Sequence, residues 1–165
     1  MRIKKYIKYI IFSLVFLTTG CLKIEEASII PEIELISFET VEGTEPEFGN
    51  KAFRMDLNLS FIDGDGDIGS QDSTEFSLFI TPLRKKNDTI ADTLDTLPFN
   101  IPYVEPLKTV RTLNGEINCV FYIYKIGEYH LNDTFVFEVY ITDRAEHNSN
   151  VVSTEEDFIF TFTDN

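Results

Sequence analysis

The sequence has few of the residues from which metal, redox and disulfide-stabilised sites are built. Its 165 residues include two cysteines, two histidines and no tryptophan. Neither His130 nor His147 has zinc-ligand spacing around it, and we find no nucleophile triad and no phosphate-binding loop. We therefore expect both histidines to be surface residues, and we expect that the protein is not an enzyme.

Basic residues are also scarce, with 14 lysines and arginines against 28 aspartates and glutamates. The formal net charge is −14, and it becomes −18 without residues 1–20, which carry four basic residues and no acidic one. So acidic a surface repels nucleic acid and anionic lipid head groups, and we expect no nucleic-acid partner. It suits divalent cations, basic partners or neutral ligands such as sugars.

The main apolar run, residues 10–17, is too short to span a bilayer, and it follows four basic residues, Arg2, Lys4, Lys5 and Lys8. This pattern predicts a cleaved signal peptide over residues 1–20. The next residues, Thr18-Thr19-Gly20-Cys21, resemble a bacterial lipobox in the loose form of the Bacteroidota. The resemblance implies that Cys21 carries acyl chains such as palmitate and anchors the protein to the outer membrane. An ordinary secretory signal with a chance cysteine is the alternative.

If Cys21 is lipidated, Cys119 has no disulfide partner in the chain. It shares strand parity with Ile117 and Phe121, which favours a small buried hydrophobe. A catalytic thiol is the alternative, although no histidine lies nearby in the sequence.

Two stretches resemble processing signals of exported Bacteroidota proteins. Residues 21–31 form a predicted tether, in which Lys23, Glu25 and Glu26 loosely resemble a surface-export signal. The polar stretch 84–97 is predicted to be a loop, and its three Asp-Thr-aliphatic tripeptides resemble O-glycosylation acceptors at Thr89, Thr93 and Thr96. A solvated linker and a plain acidic loop are the respective alternatives.

From residue 32 to residue 165 the alternation of apolar and polar residues predicts an all-β domain. We predict strands near 32–41, 51–62, 75–83, 97–104, 115–124, 133–143 and 151–163, with Asn114-Gly115 as a hairpin turn before the fifth. Seven short strands without any helical period favour a single immunoglobulin/fibronectin-like β-sandwich.

Aspartates continue the core face of two predicted strands. In the second strand the apolar residues from Phe53 to Phe61 occupy odd positions, and Asp63, Asp65 and Asp67 follow on the same parity. In the sixth strand Asp143 likewise follows Ile141. The loops after these two strands lie at the same end of an immunoglobulin-like sandwich, so the four carboxylates are expected to converge.

Converging carboxylates repel one another unless a cation lies among them, and calcium tolerates irregular oxygen cages. We therefore predict a calcium site formed by Asp63, Asp65, Asp67 and, as a fourth ligand, Asp143. The loop resembles the Asp-rich calcium loops of cadherin-like modules and thrombospondin type 3 repeats. It departs from an EF-hand at Ile68 and Thr74. A solvated acidic turn is the alternative, and a catalytic role for the carboxylates is a third.

Three segments together resemble a group of small Bacteroidota lipoproteins of unknown function. They are residues 61–69 (FIDGDGDIG), the opening Pro31-Glu32-Ile33-Glu34, and Asp143-Arg144-Ala145 followed by Asn148-Ser149-Asn150. The resemblance covers essentially the whole mature chain. It implies an outer-membrane lipoprotein with one all-β domain, and it implies no activity.

Taken together, these features favour a non-catalytic lipoprotein of the outer membrane or cell surface that serves as an interaction or accessory module of an envelope complex. A glycan-binding surface module, a structural spacer and a small metal-dependent hydrolase are the alternatives. The sequence leaves open whether the domain faces the periplasm or the cell exterior.

Overall fold

A computed structural model describes residues 27–87, 89–105, 112–124, 134–154 and 158–159. The described residues form strands, turns and irregular segments, and they contain no helix. No helix long and apolar enough to cross a membrane occurs in this part of the chain. The predicted signal peptide and Cys21 lie outside the described residues.

Nine strands follow one another along the described chain. They are β1 (Glu32–Thr44), β2 (Lys51–Asp63), β3 (Leu78–Lys86), β4 (Thr89–Thr93), β5 (Leu97–Phe99), β6 (Leu113–Tyr124), β7 (Thr134–Ile141), β8 (Val152–Ser153) and β9 (Phe158–Ile159).

The first sheet has the order β1-β2-β6, with both pairings antiparallel. Its central strand confirms the predicted parity, because the odd positions from Phe53 to Asp63 are all buried while Arg54 and Ile62 are exposed. Successive side chains of a strand point to opposite faces, so the alternating sequence gives one core face and one outer face.

The second sheet has the order β4-β3-β7-β8, with β5 pairing to β3 and β9 pairing to β7. In the nomenclature of an immunoglobulin-like sandwich, β1, β2 and β6 of the first sheet correspond to strands A, B and E. In the second sheet, β3, β7 and β8 correspond to strands C, F and G. The predicted all-β sandwich is confirmed, with nine described strands where seven were expected.

Aromatic side chains join the two sheets. Phe121 of β6 lies between Phe99 and Phe137 of the second sheet, at ring-centroid distances of 5.7 and 6.1 Å. Phe53 of β2 meets Phe158 of β9 edge-to-face at 4.9 Å. Such pairs add to the burial of apolar area that stabilises the core.

Cys119 is buried in this core and forms no disulfide. Burial raises the pKa of its thiol to about 11, because desolvation disfavours the thiolate. The prediction of a small buried hydrophobe is confirmed. A thiol held in its protonated form is a poor nucleophile.

The loop predicted over residues 84–97 was wrong in part. Residues 89–93 form β4, which pairs with the end of β3 across a turn where Asn87 adopts a positive φ of 52°. All five residues of β4 are exposed, so the strand lacks the apolar alternation from which strands are recognised. Asparagine tolerates the left-handed conformation that this turn requires.

Asn114-Gly115 is also not a turn, because both residues lie inside β6 opposite Ile62 and Phe61. A Cβ at position 115 would lie 3.2 Å from the Phe61 ring. The glycine therefore gives space to an aromatic side chain of the neighbouring strand. A cross-strand neighbour, which is not visible in the local sequence, fixes its role.

Candidate metal centre

The site begins where β2 ends. Asp63 is the last residue of β2, pairs with Leu113 of β6, and is completely buried. The pleat of the strand places its side chain on the same face as Leu59 and Phe61. A carboxylate has therefore been carried into the apolar interior by the strand's own alternation.

The following loop folds two further carboxylates back onto Asp63. The backbone N–H of Asp67 donates to Asp63 Oδ2 at 2.8 Å, and Gly66 permits the curl with a φ of 71°. One carboxylate oxygen each from Asp63, Asp65 and Asp67 lies within 4.8 Å of the others. Asp65 is exposed, Asp67 is partly buried, and the group thus reaches from the interior to the surface.

The loop is held in place by the segment that precedes β1. The N–H of Gly64 donates to the carbonyl of Ser28 at 2.7 Å. A Cβ on Gly64 would lie only 2.2 Å from the carbonyl oxygen of Ala27, so a side chain at position 64 would push the two segments apart. Residues 27–28 of the predicted tether therefore pack on the aspartate loop.

Two oxygens of the group are buried without compensation. Asp63 Oδ1 and Asp67 Oδ1 are both inaccessible to solvent and have no hydrogen-bond partner among the described residues. Burying an unpaired carboxylate oxygen lowers the stability of the fold, since the oxygen loses its hydrogen bonds to water and forms none with the protein. An orphaned pair of this kind on neighbouring carboxylates is what a bound cation would satisfy.

The pKa values of Asp63 and Asp67 also indicate that these carboxylates lack compensating charge. The pKa of Asp63 is raised from 3.8 to about 6, first by burial and then by the charges of Asp65, Asp67 and Asp143, against one backbone hydrogen bond from Asp67. Burial also raises the pKa of Asp67, followed by the charges of Asp143 and Asp65. Without a cation, the folded protein therefore resists ionising the very groups that would ligate one.

Asp143 lies at the same end of the sandwich, as the parity of β7 predicted, and it is buried. Its carboxylate is close enough to act on the pKa values of Asp63 and Asp67. Its oxygens, however, accept from the backbone N–H of His147 and bond the ring Nδ1 of the same residue, both at 2.8 Å. Asp143 is outside the group of three, and its role as a fourth ligand stays a prediction.

Sequence reasoning missed the roles of two residues in the loop after β7, His147 and Arg144, of which Arg144 contacts the loop after β2. His147 is partly buried on Asp143 rather than a plain surface residue, and the hydrogen bond to that carboxylate raises its pKa. Arg144 donates to the carbonyl of Gly69 at 2.8 Å and lies 5.1 Å from the centre of the Tyr103 ring. Only the Asp143-x-x-x-His147 spacing hints at this in the sequence.

The remaining predicted site residues lie elsewhere. Thr89 and Thr93 are exposed on β4, and Thr96 is exposed after it, with its hydroxyl 2.8 Å from that of Thr81. Cys21 and His130 lie outside the described residues. The predicted glycosylation of the three threonines stays a prediction.

Comparison with known proteins identifies no relative, because the chain matches no protein-family model, no curated protein and no solved structure. The function therefore has to be inferred from the chain's own residues. The fold provides an all-β sandwich, and the site provides a buried group of three carboxylates that could bind a metal ion.

Proposed function

We propose that this protein is a non-catalytic β-sandwich module of the cell envelope, stabilised at one end by a calcium ion. The observation that carries the proposal is the pair of buried, unpartnered oxygens, Asp63 Oδ1 and Asp67 Oδ1, within a group of three carboxylates. The lipobox resemblance at Cys21 supports the location in the envelope.

Calcium fits the donor set better than other common ions. All three side chains offer hard carboxylate oxygens, which calcium and magnesium prefer to nitrogen or sulfur. One oxygen from each carboxylate lies within 4.8 Å of the others, so all three can reach a single ion. Magnesium requires a smaller and near-octahedral cage, which a loop open to solvent at Asp65 does not impose.

A structural role for the ion is favoured over a catalytic one. One oxygen each of Asp63 and Asp67 is inaccessible to solvent, and the loop that carries both residues contacts the loop after β7 through Arg144. An ion there would neutralise repulsion and fix two loops at one end of the sandwich. A groove beside β1 is separate from this site.

Thermal unfolding with and without calcium tests the proposal. Extracellular modules bind calcium with dissociation constants of about 0.1–1 mM, so ~1 mM calcium should stabilise the fold by ~0.5–1.5 kcal/mol. That stabilisation raises the melting temperature of a domain of this size by roughly 2–6 °C, and EDTA should reverse the rise.

The double variant Asp65→Asn, Asp67→Asn should abolish the calcium response while the protein stays folded, because it removes repulsion together with the ligands. A matched variant, Asp95→Asn with Glu116→Gln, removes the same charge from two exposed positions and should keep the response. Equal responses to calcium and to magnesium, or equal losses in both variants, would reduce the loop to a general acidic surface.

The proposed lipid anchor has a separate test. The variant Cys21→Ala should not be lipidated, and fractionation of cells should find the mature protein released from the membrane. Wild-type levels of membrane attachment in this variant would refute the lipid anchor. This outcome would have no bearing on the proposed calcium site.

A further inference from the structure

The outer edge of β1 presents backbone groups that no described strand uses. β1 pairs with β2 on one side only. At its start, Asn150 imitates a neighbouring strand: the Ile33 N–H donates to Asn150 Oδ1 at 2.8 Å, and Asn150 Nδ2 donates to the Ile33 carbonyl at 2.9 Å. The Ile33 backbone therefore points away from β2, towards this edge.

The alternation of an antiparallel ladder extends that direction along the strand. Leu35, two residues after Ile33, also turns its N–H and C=O outward. The register shifts at Ile36, which has no partner on β2, and Phe38 pairs with Leu57. From there the outward-pointing backbone groups belong to Phe38, Thr40 and Glu42.

A groove of about 730 Å³ runs along the same edge, between residues 32–39 of β1 and the residues Asn150, Val152 and Ser153. Leu35 and Phe38 are half-buried and pack against the core, and the Phe38 ring lies 5.2 Å from that of Phe137. The groove thus combines an apolar side with a row of backbone donors and acceptors. This combination accepts an added β-strand.

The charges of β1 indicate the chemistry of that strand. Every charged residue of β1 is a glutamate, and all four are exposed: Glu32, Glu34, Glu39 and Glu42. Natural edge strands are protected by charged side chains, proline or β-bulges; β1 has no lysine or proline, so its glutamates and the irregularity at Ile36 are its protection. A second copy of β1 would place glutamates against glutamates, which is unfavourable for directly opposed residues.

We propose that the edge of β1 is a docking site for an extended segment of a partner protein, in which basic and apolar side chains alternate. The segment would add to the sheet through the outward backbone of Leu35, Phe38 and Thr40. Its apolar side chains would cover Leu35 and Phe38, and its basic side chains would meet Glu34 and Glu39. The docking site does not include the aspartate loop, so peptide binding at β1 is expected to be independent of calcium.

A short synthetic peptide of alternating lysine and valine serves as the probe, titrated into the purified protein in EDTA and again in calcium. Hydrogen exchange should slow by about ten-fold or more at the amides of Leu35, Phe38 and Thr40, which become paired. The same peptide with alternate backbone amides methylated keeps its charge but loses one bonding edge, and it should bind at least about ten-fold more weakly.

The protein variant Glu34→Lys, Glu39→Lys should weaken binding by about ten-fold or more, since two favourable charge pairs become repulsive. The matched variant Glu116→Lys, Glu138→Lys changes the same charge at exposed positions on other strands and should bind nearly as wild type. Equal binding of the methylated peptide, or equal losses in both variants, would show that only net charge attracts the probe. A dimer formed through β1 in the absence of peptide would also overturn the proposal.

Discussion

Two buried carboxylates lie at opposite ends of β2 and differ in the number of hydrogen bonds that they accept. Glu45 precedes the strand, in the turn between β1 and β2, and Asp63 ends it. Their residues are 3% and 0% exposed, respectively. Burial alone therefore does not decide whether a carboxylate needs a cation. What decides it is whether the surrounding chain supplies hydrogen-bond donors.

At the Glu45 end the turn itself supplies the donors. The carboxylate accepts from the backbone N–H groups of Glu47 at 2.6 Å, Phe48 at 2.7 Å and Asn50 at 3.2 Å. Desolvation pushes the pKa of Glu45 up, but these bonds outweigh it, and the pKa is lowered. A charge-assisted hydrogen bond to a backbone N–H favours the ionised carboxylate.

At the Asp63 end the neighbours are other carboxylates. A single backbone N–H, that of Asp67, reaches Asp63 Oδ2, while Oδ1 has no partner among the described residues. The pKa rises to about 6. The fold thus satisfies one carboxylate with its own backbone and leaves one oxygen of the other without a partner among the described residues.

The largest expected effect comes from the strand that connects the two ends. Leu57 lies at the middle of β2 and Phe137 faces the same core from β7, and each is 1% exposed. Truncating either to alanine should lower the free energy of unfolding by about 2–5 kcal/mol, because a cavity replaces buried apolar area. Chemical denaturation measures the loss. Ile62→Ala, on the exposed face of β2, is the control and should cost much less.

Neutralising the two carboxylates separately should give effects of opposite direction. In calcium-free buffer at neutral pH, Glu45→Gln should lower the melting temperature by several degrees, because the turn loses charge-assisted hydrogen bonds. Asp63→Asn should leave the melting temperature unchanged or raise it slightly, because a charge leaves a group of like charges. The same direction of change in both variants would contradict the comparison.

A smaller effect concerns pH. Asp63 has a folded pKa of about 6 against an ordinary value of 3.8, so between these values the folded state holds a proton that the unfolded state has lost. Calcium-free stability should therefore fall as pH rises through this window, relative to Asp63→Asn. The rise in melting temperature on adding calcium should be smaller at pH 5 than at pH 7.5, because protons then compete for Asp63. A calcium response that is independent of pH would exclude Asp63 as a ligand.

The local pattern of apolar residues was sufficient to predict the strands that have one face in the core. The odd positions of β2 from Phe53 to Phe61 are apolar, and the continued parity predicted that Asp63, Asp65 and Asp67 would face inward. The same reasoning placed Asp143 at the end of β7. Asp63 and Asp143 are buried as predicted, but Asp65 is exposed and Asp67 only partly buried, because β2 and its alternation end at Asp63.

Most features that were missed depend on contacts between distant segments; Glu45, whose donors are close to it in sequence, is the exception. The residues that contact the aspartate loop, Ala27 and Ser28 on one side and Arg144 on the other, are far from it in sequence. Glu45 was missed because its partners are backbone N–H groups, which carry no residue signature. β4 was missed because all its residues are exposed, so its sequence shows no apolar alternation. Backbone pairing with β3, which the local sequence does not display, defines this strand.

The most direct test of the account is a calcium titration of the metal-free protein, followed at each backbone amide by NMR. A calcium ion at this site should cause saturable shifts, with a dissociation constant of about 0.1–1 mM, in the loop of residues 63–69 and at Arg144, whose N–H donates to the Asp67 carbonyl. The amides of Glu47, Phe48 and Asn50, around the carboxylate that the chain already satisfies, should not move. Shifts spread over the exposed acidic surface, or no saturable shift in the 63–69 loop, would contradict the proposed metal centre.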